Sequence, residues 1–273
     1  MTIIAHASVA EHSAVAAGAA IAAVGYGWMW IRHPTSSPWH LVAWFAGIGA
    51  LLASVIPAME AVARRSFAGH MVQHLLMIVV AAPLLVAARP VQTARSVGLL
   101  SARATAHERS VVRWWRSNGA LAGAGLFIVT LYVTHLTAIY DDALTNRFVH
   151  DAEHLAYVGS AVALWAALRG RSRQAATARI GAVFAVIAAS ALLGVVLLSA
   201  SSPLVPTYDA LLGSSDALRD QRVAASLMWI GGMATTLPLL IVSVWSWAAA
   251  EERVAIRAEA LADARTEAPV SSR

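Results

Sequence analysis

Residues 70–90 read HMVQHLLMIVVAAPLLVAARP, and this stretch decides how the rest of the chain is interpreted. It begins with the polar residues His70, Gln73 and His74 and continues as unbroken hydrocarbon to Arg89. The apolar run is about as long as the roughly 20 residues that a helix needs to cross a bilayer. Residues four apart lie on one face of an α-helix, so His70 and His74 point the same way. Because two imidazoles one turn apart can hold a single ion, the stretch predicts a histidine pair at the mouth of a transmembrane helix.

The composition extends this interpretation to the whole chain. Of the 273 residues, 59% are hydrophobic and 13% are charged, about half the charged share of a soluble domain. Most of the surface is therefore expected to face lipid. The sequence has no cysteine and no lysine. Without cysteine a disulfide, a thiolate metal site or an iron–sulfur cluster is excluded, and without lysine so is a retinal or pyridoxal Schiff base.

The hydrophobic pattern predicts an all-α polytopic membrane protein, a bundle of seven transmembrane helices. The spans are expected within one domain, residues 1–250, at 14–31, 39–56, 70–88, 119–137, 150–168, 180–199 and 223–249. Residues 251–273 are expected to form a charged cytoplasmic tail, helical at first and disordered at its end. The N-terminus lacks the basic start of a signal peptide and is taken as mature sequence. Pro83 and Pro238 predict kinks inside two spans, and a GxxxG motif at residues 119–123 predicts close helix packing.

Arginine placement predicts the orientation, because basic residues collect on the cytoplasmic side of a membrane. Residues 89–118 carry six arginines against one acid, and residues 169–179 carry four arginines and no acid. With seven spans these segments share a side, which places the N-terminus outside and the C-terminus in the cytoplasm. The valines and tryptophans of residues 111–115 fit either an interfacial amphipathic helix or a solvated loop. The net charge of +5 reflects these arginines and does not indicate a nucleic-acid partner.

This topology gathers seven of the ten histidines on the outer rim, His6 and His12 among them. His150 and His154, at the start of span five, repeat the four-residue spacing of the pair in span three, and His135 ends span four. Together they can supply three or four imidazoles to one ion, which without thiolate suits copper or zinc. Nearby thioethers, which prefer Cu(I), come from Met71, Met77 and Met228.

If the two histidine pairs share an ion, span three must pack against span five. The imidazoles of His74 and His154 should then lie within about two metal–nitrogen bonds of each other, on the order of 4–5 Å.

The same residues allow other interpretations. A histidine at a helix mouth is commonly a solvated interfacial residue, and four imidazoles on two facing helices could also clamp a b-type haem. Tyr140 and Tyr208 are expected to be interface anchors, and N-capping of the last span is the simplest role for Asp220. Further acids are expected to be loop or N-cap residues: Asp141, Asp142, Asp209 and Asp216.

Three blocks together resemble the caa3-type cytochrome c oxidase assembly factor family, the CtaG integral membrane proteins. The first is the stretch at residues 70–90. The others are HLTAIYDDALTNRFVHDAEHLAYVGSAVALW at 135–165 and SPLVPTYDALLGSSDALRDQRVAASLMWIGG at 202–232. The resemblance covers roughly residues 59–240. Carried over by position, the metal residues are His70, His74, His135, His150, His154 and Asp220.

The resemblance implies a membrane assembly factor for a haem–copper cytochrome c oxidase, which binds and delivers copper through the outer histidine cluster. On this hypothesis the protein is not an enzyme, and it is a multi-pass protein of the bacterial cytoplasmic membrane. Its partners are the oxidase subunits and the lipid bilayer. The alternative is a bis-histidine haem b protein that transfers electrons in the membrane. A solute or ion transporter is the weakest hypothesis, because no charged residue lies deep inside a predicted span.

Overall fold

A computed structural model of the protein describes residues 2–32, 37–100, 106–169 and 176–267, with side chains from 17–32, 37–100, 109–169 and 176–261. Every regular element in these ranges is helical, as the sequence predicts. In chain order the elements are α1 Thr2–Arg32, α2 Pro38–Val55, α3 Pro57–Ala63, α4 Phe67–Leu75, a π-helical segment Leu76–Ala81, α5 Ala82–Ala87, α6 Pro90–Ser96, α7 Ala106–Leu136, α8 Ile139–Thr145, α9 Arg147–Leu168, α10 Ala176–Ser199, α11 Pro206–Leu212 and α12 Ser214–Glu267.

Five stretches in the described ranges are long and apolar enough to cross a bilayer. They are Pro38–Val55, Phe67–Ser96, Arg109–Leu136, Ala176–Ser199 and Ser214–Leu261. Together they indicate a membrane protein. Helix α9, with 22 residues, is about 33 Å long and so also reaches across a bilayer in length. Its first two turns are rich in ionisable side chains, which lower its hydropathy and which belong to the site described below.

Two helices begin before the predicted spans, because hydropathy marks where lipid lies rather than where a helix begins. Helix α7 already starts at Ala106, so residues 111–115 continue into the fourth span and form neither a separate interfacial helix nor a loop. Helix α12 starts at Ser214, before the predicted span at 223–249, and continues to Glu267, so the first part of the tail is helical as expected. That tail is rich in alanine, glutamate and arginine, which are strong helix formers. The expected disorder at residues 268–273 lies outside the described residues.

The span that carries the first histidine pair is divided by the π-helical segment. Proline lacks an N–H and its ring clashes with the carbonyl four residues back, so a wider turn accommodates it. The π-helical segment ends at Ala81, two residues before Pro83. The kink that the sequence predicts at Pro83 is therefore accompanied by this wider helical turn. By contrast, α12 continues as a helix through Pro238.

Helices α7 and α9 approach each other closely at Gly123. A Cβ added there would lie only 2.9 Å from the Cα of Leu164. The close packing predicted from the GxxxG motif is therefore confirmed at its second glycine. At Gly119 an added Cβ would meet Trp115, a side chain of the same helix, so the first glycine does not make this contact.

Gly123→Ala should destabilise the protein by about 1–3 kcal/mol, because the atom it would contact is backbone and cannot rotate away. Gly125 on the same helix is the matched control, since a Cβ added there meets open space. We expect thermal unfolding of the purified proteins to show a lower Tm for Gly123→Ala and an unchanged or higher Tm for Gly125→Ala. Equal Tm values would contradict this helix contact.

One end of the bundle, where α4, α9 and α12 begin and α7 and α10 end, is called the histidine end below. Gln221 connects two of these elements, since its Nε2 donates to the Leu197 carbonyl at 3.0 Å and its Oε1 accepts from the Leu204 N–H at 2.7 Å. The short helices α8 and α11 join here through a 2.8 Å hydrogen bond from the Thr207 N–H to Asp141 Oδ1. These bonds hold the loops over the helix ends.

Candidate metal centre

Five ionisable side chains from α4 and α9 lie together inside the histidine end: His70, His74, His150, Glu153 and His154. His70 is fully buried, and His154, the most accessible of them, is 9% exposed. Each helix contributes residues four apart, so the two pairs face each other across the α4–α9 contact. The sequence places these histidines on the outer rim of the bundle, and the structure buries those whose side chains it describes. For His6 and His12, the side chains lie outside those described.

Three imidazoles come within reach of a common point. The Nε2 atoms of His70 and His74 are 2.9 Å apart, and with a ring nitrogen of His154 they form a set in which all atoms lie within 4.8 Å. Ligands at tetrahedral positions about 2.0 Å from a metal are roughly 3.3 Å apart. Small movements would therefore place all three nitrogens on one ion. The ring centroids of His74 and His154 are 5.6 Å apart, beyond the predicted distance of about 4–5 Å, whereas one ligand atom of each residue lies within 4.8 Å of the other.

A second set of three potential ligand atoms shares His70 with the first. It adds His150 and Glu153, again with all atoms within 4.8 Å. Glu153 was not among the predicted ligands, although the sequence HDAEH at residues 150–154 places it on the same helix face as the two histidines. A carboxylate three residues after one histidine and adjacent to the next was the available signal.

The donor set fits a metal ion, because several buried polar atoms have no hydrogen-bond partner in the described part of the chain. They are His74 Nδ1, His150 Nε2, His154 Nε2, Glu153 Oε1 and Glu153 Oε2. Each unpaired buried polar group costs on the order of 1–3 kcal/mol. Imidazole nitrogens and carboxylate oxygens are ligands for copper and zinc, so a bound cation would satisfy the atoms aimed at it.

Tyrosines enclose the histidines, and the prediction that Tyr140 and Tyr208 anchor the membrane interface is wrong. Each is only 2% exposed, because α8 and α11 fold back over the histidine end and turn these rings inward. The Tyr140 ring lies 4.9 Å from the ring of His70, and the Tyr157 ring lies 4.4 Å from that of His74. Burial raises the pKa of the Tyr140 and Tyr208 hydroxyls, so both stay neutral.

The Tyr208 hydroxyl orients His70. It donates to the Ala63 carbonyl at 2.5 Å and lies 3.5 Å from His70 Nδ1. With its proton committed to the carbonyl, the hydroxyl oxygen can only accept from an Nδ1–H of His70. That tautomer leaves the lone pair on Nε2, the atom that faces His74. In metal sites, a hydrogen bond to the other ring nitrogen commonly fixes the tautomer of a ligating histidine in this way.

His135 lies beside the cluster. It belongs to neither of the two sets of three ligand atoms described above, which are called the three-atom sets below. Its Nδ1 is 2.9 Å from the Leu131 carbonyl, which can only accept, so this nitrogen carries the proton. Its Nε2 is left 3.5 Å from the Met71 sulfur, one of the thioethers that the sequence offered. His135 and Met71 thus form an imidazole–thioether pair next to the five-residue cluster.

Asp220 lies at the start of α4 rather than among the imidazoles. Its Oδ1 accepts from Ser66 Oγ at 2.8 Å and its Oδ2 from the Phe67 N–H at 2.5 Å. It does not cap its own helix, since α12 begins six residues earlier, at Ser214. Instead it caps the neighbouring helix α4. The structure therefore gives Asp220 a positioning role for the helix that carries His70 and His74.

Asp220→Ala should destabilise the protein by about 1–2 kcal/mol, because the N–H groups at the start of α4 lose a charged acceptor. Metal affinity should also fall, since α4 holds two of the imidazoles. Asp216→Ala is a matched control: it removes an exposed acid of the same helix whose ion pair with Arg219 is worth little. Thermal unfolding and metal titration of both variants test this, and identical behaviour would contradict the capping role.

A cavity of about 800 Å³ between α1, α2 and α9 reaches the cluster at His154. Its wall is mostly apolar, formed by residues such as Ala22, Leu51 and Leu155. Acidic side chains, Glu60 and Asp151, also line it. Of the five cluster residues, His154 alone is among those that line the cavity.

The fold and the site together define a helical membrane protein with a buried, histidine-rich candidate metal centre at one end of its bundle. The profile of the cytochrome c oxidase caa3 assembly factor family matches residues 24–250. The chain belongs to that family, as the resemblance of its three sequence blocks implies. The match includes every residue of both three-atom sets.

Curated mycobacterial proteins are also similar to the chain. An uncharacterized protein of Mycobacterium leprae (strain TN) is 28% identical over 92% of this chain and 41% of its own length. An uncharacterized protein of Mycobacterium tuberculosis (strain CDC 1551 / Oshkosh) is 25% identical over 92% of this chain and 41% of its own length. The chain thus spans about two fifths of the length of the curated relatives it matches. No solved structure is significantly similar to it.

Proposed function

We propose that this protein is a non-enzymatic assembly factor that binds copper through its histidine cluster and delivers it to a haem–copper cytochrome c oxidase. The observation that carries the proposal is the buried group of His70, His74 and His154, whose ligand atoms lie within 4.8 Å of one another. Family membership supports the oxidase as the recipient. Copper is then a cargo that the protein holds and releases.

The chemistry of the ligands suits such a cargo. Imidazole binds both oxidation states of copper, and a site without thiolates holds it less firmly than a closed cysteine site would. Three protein ligands leave a coordination position open, through which a recipient's ligand can take over the ion. The adjacent pair of His135 and Met71, whose Nε2 and sulfur atoms are 3.5 Å apart, offers a second, softer position beside the cluster.

The geometry favours an ion over haem, the alternative raised by the sequence. Bis-histidine haem ligation needs two imidazoles on opposite faces of the macrocycle, with nitrogens about 4 Å apart and the porphyrin between them. Across the two helices, the rings of His74 and His154 have centroids 5.6 Å apart, and the ring of His70 also packs on that of His74, with centroids 4.3 Å apart. The Tyr157 ring packs directly on His74 and occupies space that a macrocycle beside it would need.

Metal analysis of the purified protein tests the proposal. After loading with copper and removal of excess ion, we expect about one copper per chain and an absorption spectrum without a Soret band. A protein that purifies with iron and a Soret band, and takes up no copper, would overturn the copper function in favour of haem.

We also propose that α1 and α9 join the five apolar stretches to make seven spans in a bacterial cytoplasmic membrane, with the N-terminus outside. Arginine distribution supports this orientation. Arg169, at the end of α9, donates to the Val86 carbonyl at 2.7 Å, which pairs two helix ends opposite the histidine end. The cluster would then face the periplasm, on the side from which the oxidase could be loaded.

Reporter fusions should reveal this topology. A reporter active only in the cytoplasm should work when fused after Arg273, and a reporter active only in the periplasm should work at Ser214, where α12 begins. The physical reason is the excess of arginine in the segments assigned to the inner side. Activity reversed at both points would place the histidine end in the cytoplasm and contradict the proposed orientation.

A further inference from the structure

Glu153 is the most unusual member of the cluster, since a carboxylate is almost never fully buried without a partner. Its side chain is 0% exposed, and within the described part of the chain neither carboxylate oxygen has a hydrogen-bond partner. Its Oε2 faces two imidazoles, at 3.6 Å from His70 Nε2 and 3.8 Å from His74 Nε2. One oxygen of Glu153 is therefore aimed at the point where the histidine pair would hold an ion.

His150, on the same helix as Glu153, is a second potential ligand beside that carboxylate. It forms a three-atom set with Glu153 and His70, and its Nε2 is another buried atom without a hydrogen-bond partner among the described residues. An ion held by His70 can therefore take its remaining ligands as imidazoles, from His74 and His154. It can also take them as one imidazole and one carboxylate, from α9 alone.

We propose that Glu153 is a ligand of this site and makes it select divalent first-row cations, Cu²⁺ or Zn²⁺, over Cu⁺. The inference rests on the proposed function, because it assumes that the histidine cluster holds a metal. Carboxylate oxygen is a hard donor that suits divalent ions, whereas Cu⁺ prefers soft thioether ligands. The attraction between the carboxylate and the ion also doubles when the charge of the ion doubles, and burial leaves that attraction weakly screened.

The test compares dissociation constants for Cu²⁺, Zn²⁺ and Cu⁺ in the purified wild type and in Glu153→Gln. Glutamine keeps the shape of the side chain and one carbonyl oxygen but removes the charge. We expect the affinities for Cu²⁺ and Zn²⁺ to fall by about 100-fold and that for Cu⁺ by less than about tenfold. Asp151→Asn is the matched control, since that exposed carboxylate lies two residues away in α9 and pairs with Arg147 at 3.5 Å. It should bind all three ions as the wild type does.

Three outcomes would overturn the inference. Unchanged affinities in Glu153→Gln would show that the carboxylate is not a ligand. Equal losses of affinity for Cu²⁺ and Cu⁺ would show that the carboxylate does not discriminate between ions by their charge. A wild type that binds none of the three ions would instead remove the proposed function itself.

A second measurement needs no variant and so does not depend on how Glu153→Gln folds. Infrared difference spectra of the wild type should show a shift of a glutamate carboxylate band, identified by ¹³C labelling, when Zn²⁺ is added. An unchanged band in a protein that has bound zinc would overturn the role of Glu153.

Discussion

His74→Ala should lower the affinity for copper by roughly 100-fold or more, because it removes one of the three imidazoles in the set formed with His70 and His154. His74 Nε2 is 2.9 Å from His70 Nε2, and its ring centroid is 5.6 Å from that of His154. Without it, the all-imidazole set is reduced to two atoms on different helices. The apolar spans are untouched, so the variant should still insert into the membrane.

Competition titration against a copper chelator measures this loss. His40→Ala is the matched control, since His40 lies in the first turn of α2, close enough to Arg89 and Arg169 to experience their charge, and it touches neither three-atom set. The control should bind copper as the wild type does. If His74→Ala bound copper with unchanged affinity, the set of His70, His74 and His154 would not be the copper site.

In cells, His74→Ala and His154→Ala should abolish most copper-dependent oxidase activity in copper-poor medium. The oxidase polypeptides and their haem should still be present, because the proposed defect is in metal delivery rather than in synthesis. Added copper should restore part of the activity by mass action. The measurement is oxygen consumption by isolated membranes, together with the copper and haem content of the oxidase.

His40→Ala again serves as the control and should leave oxidase activity intact. Fully active, copper-loaded oxidase in either cluster variant would show that the histidines are not needed for delivery. That outcome is independent of the binding experiment, because a protein can hold copper without passing it to an oxidase.

The local part of the site could be predicted from the sequence, because residues four apart share a helix face whatever the tertiary structure. This rule paired His70 with His74 and His150 with His154. The shared arrangement of the two pairs followed from assigning both to the same side of a membrane. The same helical logic located the close contact at Gly123.

The remaining features depend on contacts between distant segments. The helical spacing of residues within one segment carries no information about such contacts. Asp220 was expected at the start of its own helix, yet it caps α4 because the two helices begin side by side. Tyr140 and Tyr208 were expected at the lipid interface, yet two short helices turn them onto the histidines. Hydropathy could not reveal these helices, since they bury their aromatic rings in a polar cluster rather than in lipid.

X-ray absorption of the copper-loaded wild type tests the central claim most directly, because it reports the atoms bound to the metal. The account predicts a first shell dominated by nitrogen or oxygen at about 2.0 Å, with the outer scattering pattern of at least three imidazoles, and weakening of that pattern in His74→Ala. A spectrum without imidazole scattering, or one unchanged by His74→Ala, would contradict the claim that this histidine cluster holds copper.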